Sequence, residues 1–200
     1  MTVETDGRTG NVERNTLETK VKVKINLDGD GRSEIATGIG FLDHMLDLIA
    51  KHAFIDVFAF ISGDLEVDSH HTVEDCGIAL GEAIKIALGD KNGIHRYGNM
   101  FIPMDETLAQ VCLDFSGRAI LVWDAELPKV KLGNYDVEMT EEFFRAVAHA
   151  AGITLHVRIL YGKNTHHMIE AIFKAFARAL NEAVTIDSRV KGVMSSKGVL

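Results

Sequence analysis

His70-His71-Thr72-Val73-Glu74 and His166-His167-Met168-Ile169-Glu170 carry one pattern twice: two adjacent histidines, with a glutamate three residues after the second. Each copy opens a stretch with helical periodicity. Either histidine then shares a helical face with its glutamate, at a separation of four or three residues. Adjacent residues on a helix point about 100° apart. Neighbouring imidazoles therefore diverge, and they suit two different ions better than one. Two such motifs, supplied by two halves of a chain, point to a paired-metal site of nitrogen and carboxylate ligands without thiolate.

The surroundings of the two copies match. Before the first, residues 15–27 alternate as a half-buried strand, Gly29-Asp30-Gly31 supplies a turn, and residues 32–37 return as a second strand. Residues 41–53 place Leu42, Met45, Leu46, Ile49 and Ala50 on one helical stripe. Residues 55–61 read as a strand and 71–88 as a helix, ended by Gly89 and Gly93. The second half repeats the order, with strands over 106–114 and 118–125, a helix over 140–151, a strand over 153–160 and a helix over 167–183. An offset of 96 residues superposes His70 on His166 and Glu74 on Glu170, and a one-residue adjustment places His52 on His149. The expectation is an α/β (α+β) fold built by internal duplication of two β-β-α-β-α half-domains, 1–92 and 93–200, forming one compact unit. Each half contributes a mixed sheet with helices packed on one face.

Composition narrows the function. Two hundred residues, 46% hydrophobic and 25% charged, can bury a core without disulfide support. The formal charge of -8 argues against non-specific nucleic-acid binding. Cys76 and Cys112 form no CxxC pair, so neither a disulfide framework nor a thiolate zinc site is indicated, and a reducing cytoplasm fits. Residues 1–15 are polar, without an apolar signal core, and no apolar run approaches the ~20 residues of a membrane helix.

A single His-His-x-x-Glu at a helix start is weak evidence, since polar histidines often occupy exposed first turns. Two copies at matching points of a duplicated chain are harder to explain without a metal. Manganese, iron and zinc are all chemically open to such a set. His44, in Gly40-Phe41-Leu42-Asp43-His44-Met45, is equally explained as a surface residue or a ligand. Arg96, Arg118 and Lys197, the last in Ser195-Ser196-Lys197-Gly198, flank glycines and hydroxyls, a composition suited to gripping phosphate, although isolated basic residues are more often solvated. Glu18, among Thr16 and Thr19, is a strand glutamate with the bland alternative of a wet face. Cys76, Met45 and Met168 are read as packing.

Five ordered motifs together resemble one family: Phe41-Leu42-Asp43-His44-Met45, Asp68-Ser69-His70-His71-Thr72-Val73-Glu74-Asp75, Gly93-Ile94-His95-Arg96-Tyr97-Gly98, Lys163-Asn164-Thr165-His166-His167-Met168-Ile169-Glu170-Ala171 and Ser195-Ser196-Lys197-Gly198-Val199-Leu200. They are similar to imidazoleglycerol-phosphate dehydratases of the monofunctional form, without the N-terminal stretch that would hold the phosphatase domain of some members. The resemblance runs from about Arg14 onward and implies a half-domain fold like the second domain of a small-subunit ribosomal protein. It also implies a hydro-lyase of histidine biosynthesis that converts D-erythro-imidazole glycerol phosphate to imidazole acetol phosphate. The reacting carbon has no adjacent carbonyl, so the substrate's own imidazole must accept the charge, stabilised by metal. Two Mn2+ per active site are implied, one held by His44, His71, His166 and Glu170, the other by His70, Glu74, Glu142 and His167. At Glu142 some relatives have histidine. Glu18, His52, Arg96, Arg118, Ser195, Ser196 and Lys197 map to substrate-binding positions, with the arginines and Lys197 on phosphate. Glu170 is expected to remove the carbon-bound proton; the imidazolate expels the hydroxyl to give a diazafulvene, with Glu18 or a metal-bound water assisting. The family's hollow cubic assembly of about two dozen subunits implies a homo-oligomer, with the two histidine motifs of each site drawn from different subunits.

Two other classes fit part of the pattern. A dimetal hydrolase would use similar ligands but normally more aspartates. A metal-storage or assembly protein would explain the histidines as staples and leave Arg96, Arg118 and Lys197 without purpose.

Overall fold

The computed structural model describes residues 7–199; the outermost parts of the two expected halves, residues 1–6 and Leu200, lie outside it. In chain order the elements are β1 (Thr9–Asn15), β2 (Thr19–Asn26), β3 (Ser33–Ala36), α1 (Gly40–Ala53), β4 (Asp56–Gly63), α2 (His70–Leu88), β5 (Tyr97–Met104), β6 (Thr107–Asp114), β7 (Ile120–Asp124), β8 (Lys131–Leu132), β9 (Tyr135–Asp136), α3 (Met139–Ala151), β10 (Thr154–Tyr161) and α4 (Thr165–Val184). Two four-stranded sheets, ordered β1-β2-β4-β3 and β5-β6-β10-β7, repeat one topology. In each, three antiparallel neighbours are joined at one edge by a parallel strand, β3 beside β4 and β7 beside β10. Mixed sheets and duplication follow the sequence pattern. Each half is longer than β-β-α-β-α by a leading strand, β1 or β5, and the second half adds the β8–β9 hairpin.

The alternation of β2 sends Val21, Val23 and Ile25 inward and leaves its lysines outside. Its duplicate β6 buries Ala109, Val111 and Leu113 in the same way. Helices α2 and α4 cover the inner faces of the two sheets. The four helices meet in the middle as two pairs, α1 with α4 and α2 with α3. Both pairs run parallel: His44 meets Glu170 where His52 meets Arg178, and Gly77 meets Phe143 where Gly81 meets Val147. Phe143, Phe144, Phe173 and Phe176 fill the centre, with ring centroids 4.8–5.3 Å apart.

Glycines set the closest approaches at equivalent places in the two halves. A Cβ on Gly10 of β1 would stand 2.0 Å from the carbonyl oxygen of Ala83 on α2, and one on Gly98 of β5 would stand 1.9 Å from that of Ala179 on α4. Strand and helix backbones touch there because no side chain separates them.

Cys76, on α2, is buried, and burial pushes its thiol up from 9.0 to about 12, with the charge of Asp43 adding to the shift. Because the folded value lies above the unfolded one, this thiol's contribution to stability is complete below about pH 9 and is lost as pH rises toward 12. Cys76 is therefore expected to resist thiol reagents at pH 8 until the chain is denatured. A Cys76→Ala variant is expected to lose stability less steeply over that alkaline range, as measured by urea unfolding at stepped pH.

Candidate functional site

The helices that carry the histidine motifs are started in the same way. Asn164 caps α4, its side-chain oxygen accepting the amides of His166 and His167 at 2.9 and 3.3 Å. At the equivalent position Asp68 accepts the amide of His70 at 2.7 Å. Both bonds tie the approach to the first turn, although Ser69, the capping residue of α2, makes no side-chain cap bond of its own, and the adjacent imidazoles leave the turn in different directions. The rings of His70 and His71 are inclined at 73° and those of His166 and His167 at 83°.

That divergence gives each ring its own partners. Nε2 of His166 lies 3.0 Å from Oε2 of Glu170, and Nε2 of His44, from the start of the second turn of α1, lies 3.4 Å from the same oxygen. The ligand atoms of His44, His166 and Glu170 all fall within 4.8 Å of one another, the one such convergence among the described residues. Glu170 is buried, and its other oxygen, Oε1, is held by Lys174 Nζ at 2.6 Å one turn along α4. Burial pushes its carboxyl up, but Lys174, His166 and His44 more than offset this, and the group stays ionised below the usual carboxylate range. Two imidazole nitrogens and an ionised oxygen in one small volume form a donor set that fits a divalent cation.

His167 turns its Nδ1 to Oε2 of Glu106 at 2.8 Å, and His71 turns its Nδ1 to both oxygens of Asp64 at 3.1 Å. Glu18, on the β1–β2 turn, lies 3.8 Å from Nε2 of His71. His70 faces Glu74 at 3.7 Å. Glu74 and Glu142 line one groove between α2 and α3, where Glu142 also meets Arg145 at 3.4 Å. The C-caps Phe54 of α1 and Gly152 of α3 set these helices 98 residues apart, which makes Glu142 the counterpart of His44 and puts Ala150, not His149, opposite His52; Glu74 remains the counterpart of Glu170. His52, in the last turn of α1, is partly buried beside Lys174 and Arg178; burial and these two charges lower its pKa. Among the described residues no hydrogen bond or ion pair joins the motif of α2 to the cluster around Glu170.

The basic candidates form a separate assembly. Arg96 places Nε and Nη2 on the two oxygens of Asp114 at 2.6 and 3.0 Å, and donates Nη1 to the carbonyl of Met194 at 2.7 Å. That last bond anchors the segment bearing Ser195, Ser196 and Lys197, where the amide of Lys197 donates to Ser195 Oγ. Arg118, largely exposed, approaches Asp114 at 3.8 Å. The structure thus gathers Arg96, Arg118 and the C-terminal segment, but Arg96 is already paired, which leaves Arg118 and Lys197 as the freer cations. Sequence reasoning missed Asp64, Glu106, Asp114 and Lys174. Only Lys174 had a signal in the sequence, its four-residue spacing from Glu170 on one helical face.

The family model for imidazoleglycerol-phosphate dehydratase matches residues 37–180. The chain belongs to the imidazoleglycerol-phosphate dehydratase family. Imidazoleglycerol-phosphate dehydratases of Clostridium acetobutylicum and Acetivibrio thermocellus are each 61% identical, over 96% and 94% of this chain and 97% of each of those proteins. The solved imidazoleglycerol-phosphate dehydratase of Staphylococcus aureus superposes with a TM-score of 0.81 at 44% identity, over 90% of this chain and 99% of its own. That of Pyrococcus furiosus does so at 0.82 and 35%, over 94% and 100%. Of the five motifs, the first four fall inside the stretch matched by the family model and Ser195–Leu200 falls outside it. No helix among the described residues of this dehydratase-family chain is long and apolar enough to cross a membrane.

Proposed function

We propose that this chain is a metal-dependent hydro-lyase that converts D-erythro-imidazole glycerol phosphate to imidazole acetol phosphate and water in histidine biosynthesis. The observation that carries the reading is the convergence of His44, His166 and Glu170 in a member of this family. When bound, two Mn2+ per site would supply the positive charge that stabilises the substrate's imidazole ring as an anion. His44, His71, His166 and Glu170 would hold one, and His70, Glu74, Glu142 and His167 the other.

The chain's own groups would do the rest. Lys174 keeps Glu170 ionised, so Glu170 is available both as a ligand and to take the proton from the second side-chain carbon, one removed from the ring, while the hydroxyl leaves from the carbon bonded to the ring. Glu18, exposed on its turn beside His71, would give a proton to the departing hydroxyl. The proton lost from one carbon and the hydroxyl lost from its neighbour make up the water, and the resulting enol tautomerises to the ketone. Arg118, Lys197, Ser195 and Ser196, with the remaining donors of Arg96, would hold the phosphate; His52 would contact the substrate near Glu170.

The two halves, 1–92 and 93–200, act in this reading as one unit, in the cytoplasm. A homo-oligomer of about 24 chains would bring the α2 motif of one subunit to the Glu170 cluster of another. Metal then bridges subunits, so chelation is expected to shrink the particle and Mn2+ to restore it, as followed by light scattering; a size indifferent to chelator would count against shared sites. The activity itself is tested by incubating the protein with Mn2+ and imidazole glycerol phosphate and following ketone formation. Release of inorganic phosphate would indicate a hydrolase, and no reaction a storage or assembly role.

A further inference from the structure

Asp64 and Glu106 each grip the Nδ1 of the second histidine in one motif, yet they do so from different places in the repeat. Glu106 immediately precedes β6, in the β5–β6 turn, and Glu18 occupies the same position before β2. The counterparts nevertheless behave differently. Glu106 accepts from Nδ1 of His167 through Oε2, and its Oε1 accepts the amides of Lys163 and Asn164 at 3.1 and 2.7 Å. Glu18 makes no such bond, because in the first half the Nδ1 of His71 is taken by Asp64, after β4. Asp64 follows Gly63, which packs on Thr19, and in the second half Gly162, packed on Thr107, is followed instead by Lys163. The loop that supplies the carboxylate in one half thus supplies only a backbone amide in the other.

We propose that Asp64 and Glu106 are positioning residues that aim His71 and His167, and that Asp64, by taking over this task in the first half, leaves Glu18 free to transfer protons. The inference rests on the metal-dependent reading above. An ionised carboxylate only accepts, so the nitrogen facing it carries the hydrogen. In a neutral imidazole that leaves Nε2 without a hydrogen, the form a metal ligand needs, with Glu18 at 3.8 Å from that nitrogen in His71 and Asp105 at 3.7 Å in His167. Both rings are held in this way from their Nδ1 side, opposite the nitrogen that would meet an ion.

The test is titration of the chelator-stripped full-length protein with Mn2+, reading free Mn2+ by electron paramagnetic resonance. Asp64→Ala is expected to weaken one class of site by about 10–100-fold. Asp64→Asn, whose amide oxygen still accepts from Nδ1, is expected to recover part of that loss, which a general packing defect would not explain. Apart from His71, the Asp64 side chain has no hydrogen-bond partner among the described residues, so these variants should fold, as circular dichroism checks. Glu106→Gln is expected to weaken the other class of site. Glu18→Gln is expected to bind Mn2+ as the parent does while turning over far more slowly. Wild-type affinity in Asp64→Ala, or a loss in Glu18→Gln as large as that in Asp64→Ala, would overturn the proposal. A parent protein that binds no Mn2+ would instead sink the metal-dependent reading beneath it.

Discussion

Replacing Glu170 with glutamine is expected to lower turnover by about 10²–10⁴-fold, the range for a lost proton-transfer group. The substitution keeps the shape of the side chain and removes its charge at the point where three donors converge. Oε2 faces His166 at 3.0 Å and His44 at 3.4 Å, while Oε1 faces Lys174 at 2.6 Å. Glutamine has one acceptor and one donor end, so either the two imidazoles or the ammonium must face an NH₂ group. Lys174, itself largely buried, then keeps its charge without a carboxylate, a situation that commonly costs about 3–5 kcal/mol. Steady-state kinetics together with the Mn2+ content per chain separate the two duties assigned to Glu170. Metal retained with turnover lost supports the proton-transfer role; metal lost with turnover assigns it as a ligand; near-normal turnover removes it as the base.

Adding a single methyl group far from this cluster is expected to be almost as damaging. Gly98→Ala places its Cβ 1.9 Å from the Ala179 carbonyl oxygen, and Gly10→Ala places one 2.0 Å from that of Ala83. The obstructing atoms belong to helix backbone, which has no rotamer to change, so strand and helix must separate. Overpacking of a core usually costs about 1–3 kcal/mol, and these positions belong at or above the top of that range. For a chain of this size that is a fall in melting temperature on the order of 10 °C. Gly40, where an added Cβ meets nothing within 4 Å, is the control: alanine there should leave the melting temperature unchanged or slightly raised. Equal melting temperatures for the three variants would mean that the β1–α2 and β5–α4 contacts are not as close as described.

Much of the fold was legible because its main elements bury one clear face. β2 alternates over Val21, Val23 and Ile25, and α1 shows its stripe from Leu42 to Ile49. The strands that were missed, β1 and β5, are both sheet edges. In Thr9–Asn15 only Gly10 and Val12 are buried, so no alternation of apolar residues marks the strand. Tyr97–Met104 contains Gly98 and Pro103, which read as strand breakers, although an edge strand tolerates both. The β8–β9 hairpin has two-residue strands and leaves no periodic trace.

At the site, the histidines and Glu170 could be found because their chemistry is concentrated within five residues and occurs twice. Their supports could not. Asp64 and Glu106 reach their histidines from other loops, and Glu106 lies 61 residues from His167. Such contacts arise only when the chain closes, and a lone acidic residue in a turn says nothing about the partner it will meet. Arg96 shows the converse limit: its sequence context fitted phosphate, but folding gave most of its guanidinium to Asp114.

The pairing of α1 with α4 and of α2 with α3 also bears on how the molecule is made. Both helix pairs at the centre join a helix synthesised early to one synthesised late; His44 waits 126 residues for Glu170. A nascent chain that has emerged only as far as α2 therefore has a finished sheet but a bare Gly77–Gly81 face and an uncovered α1. It cannot complete its interior until the ribosome has delivered α3 and α4. Closing such distant contacts is entropically slow, and exposed apolar helix faces during that interval are what chaperones bind. The repeat that makes the architecture simple to describe thus makes its first half dependent, at birth, on the second.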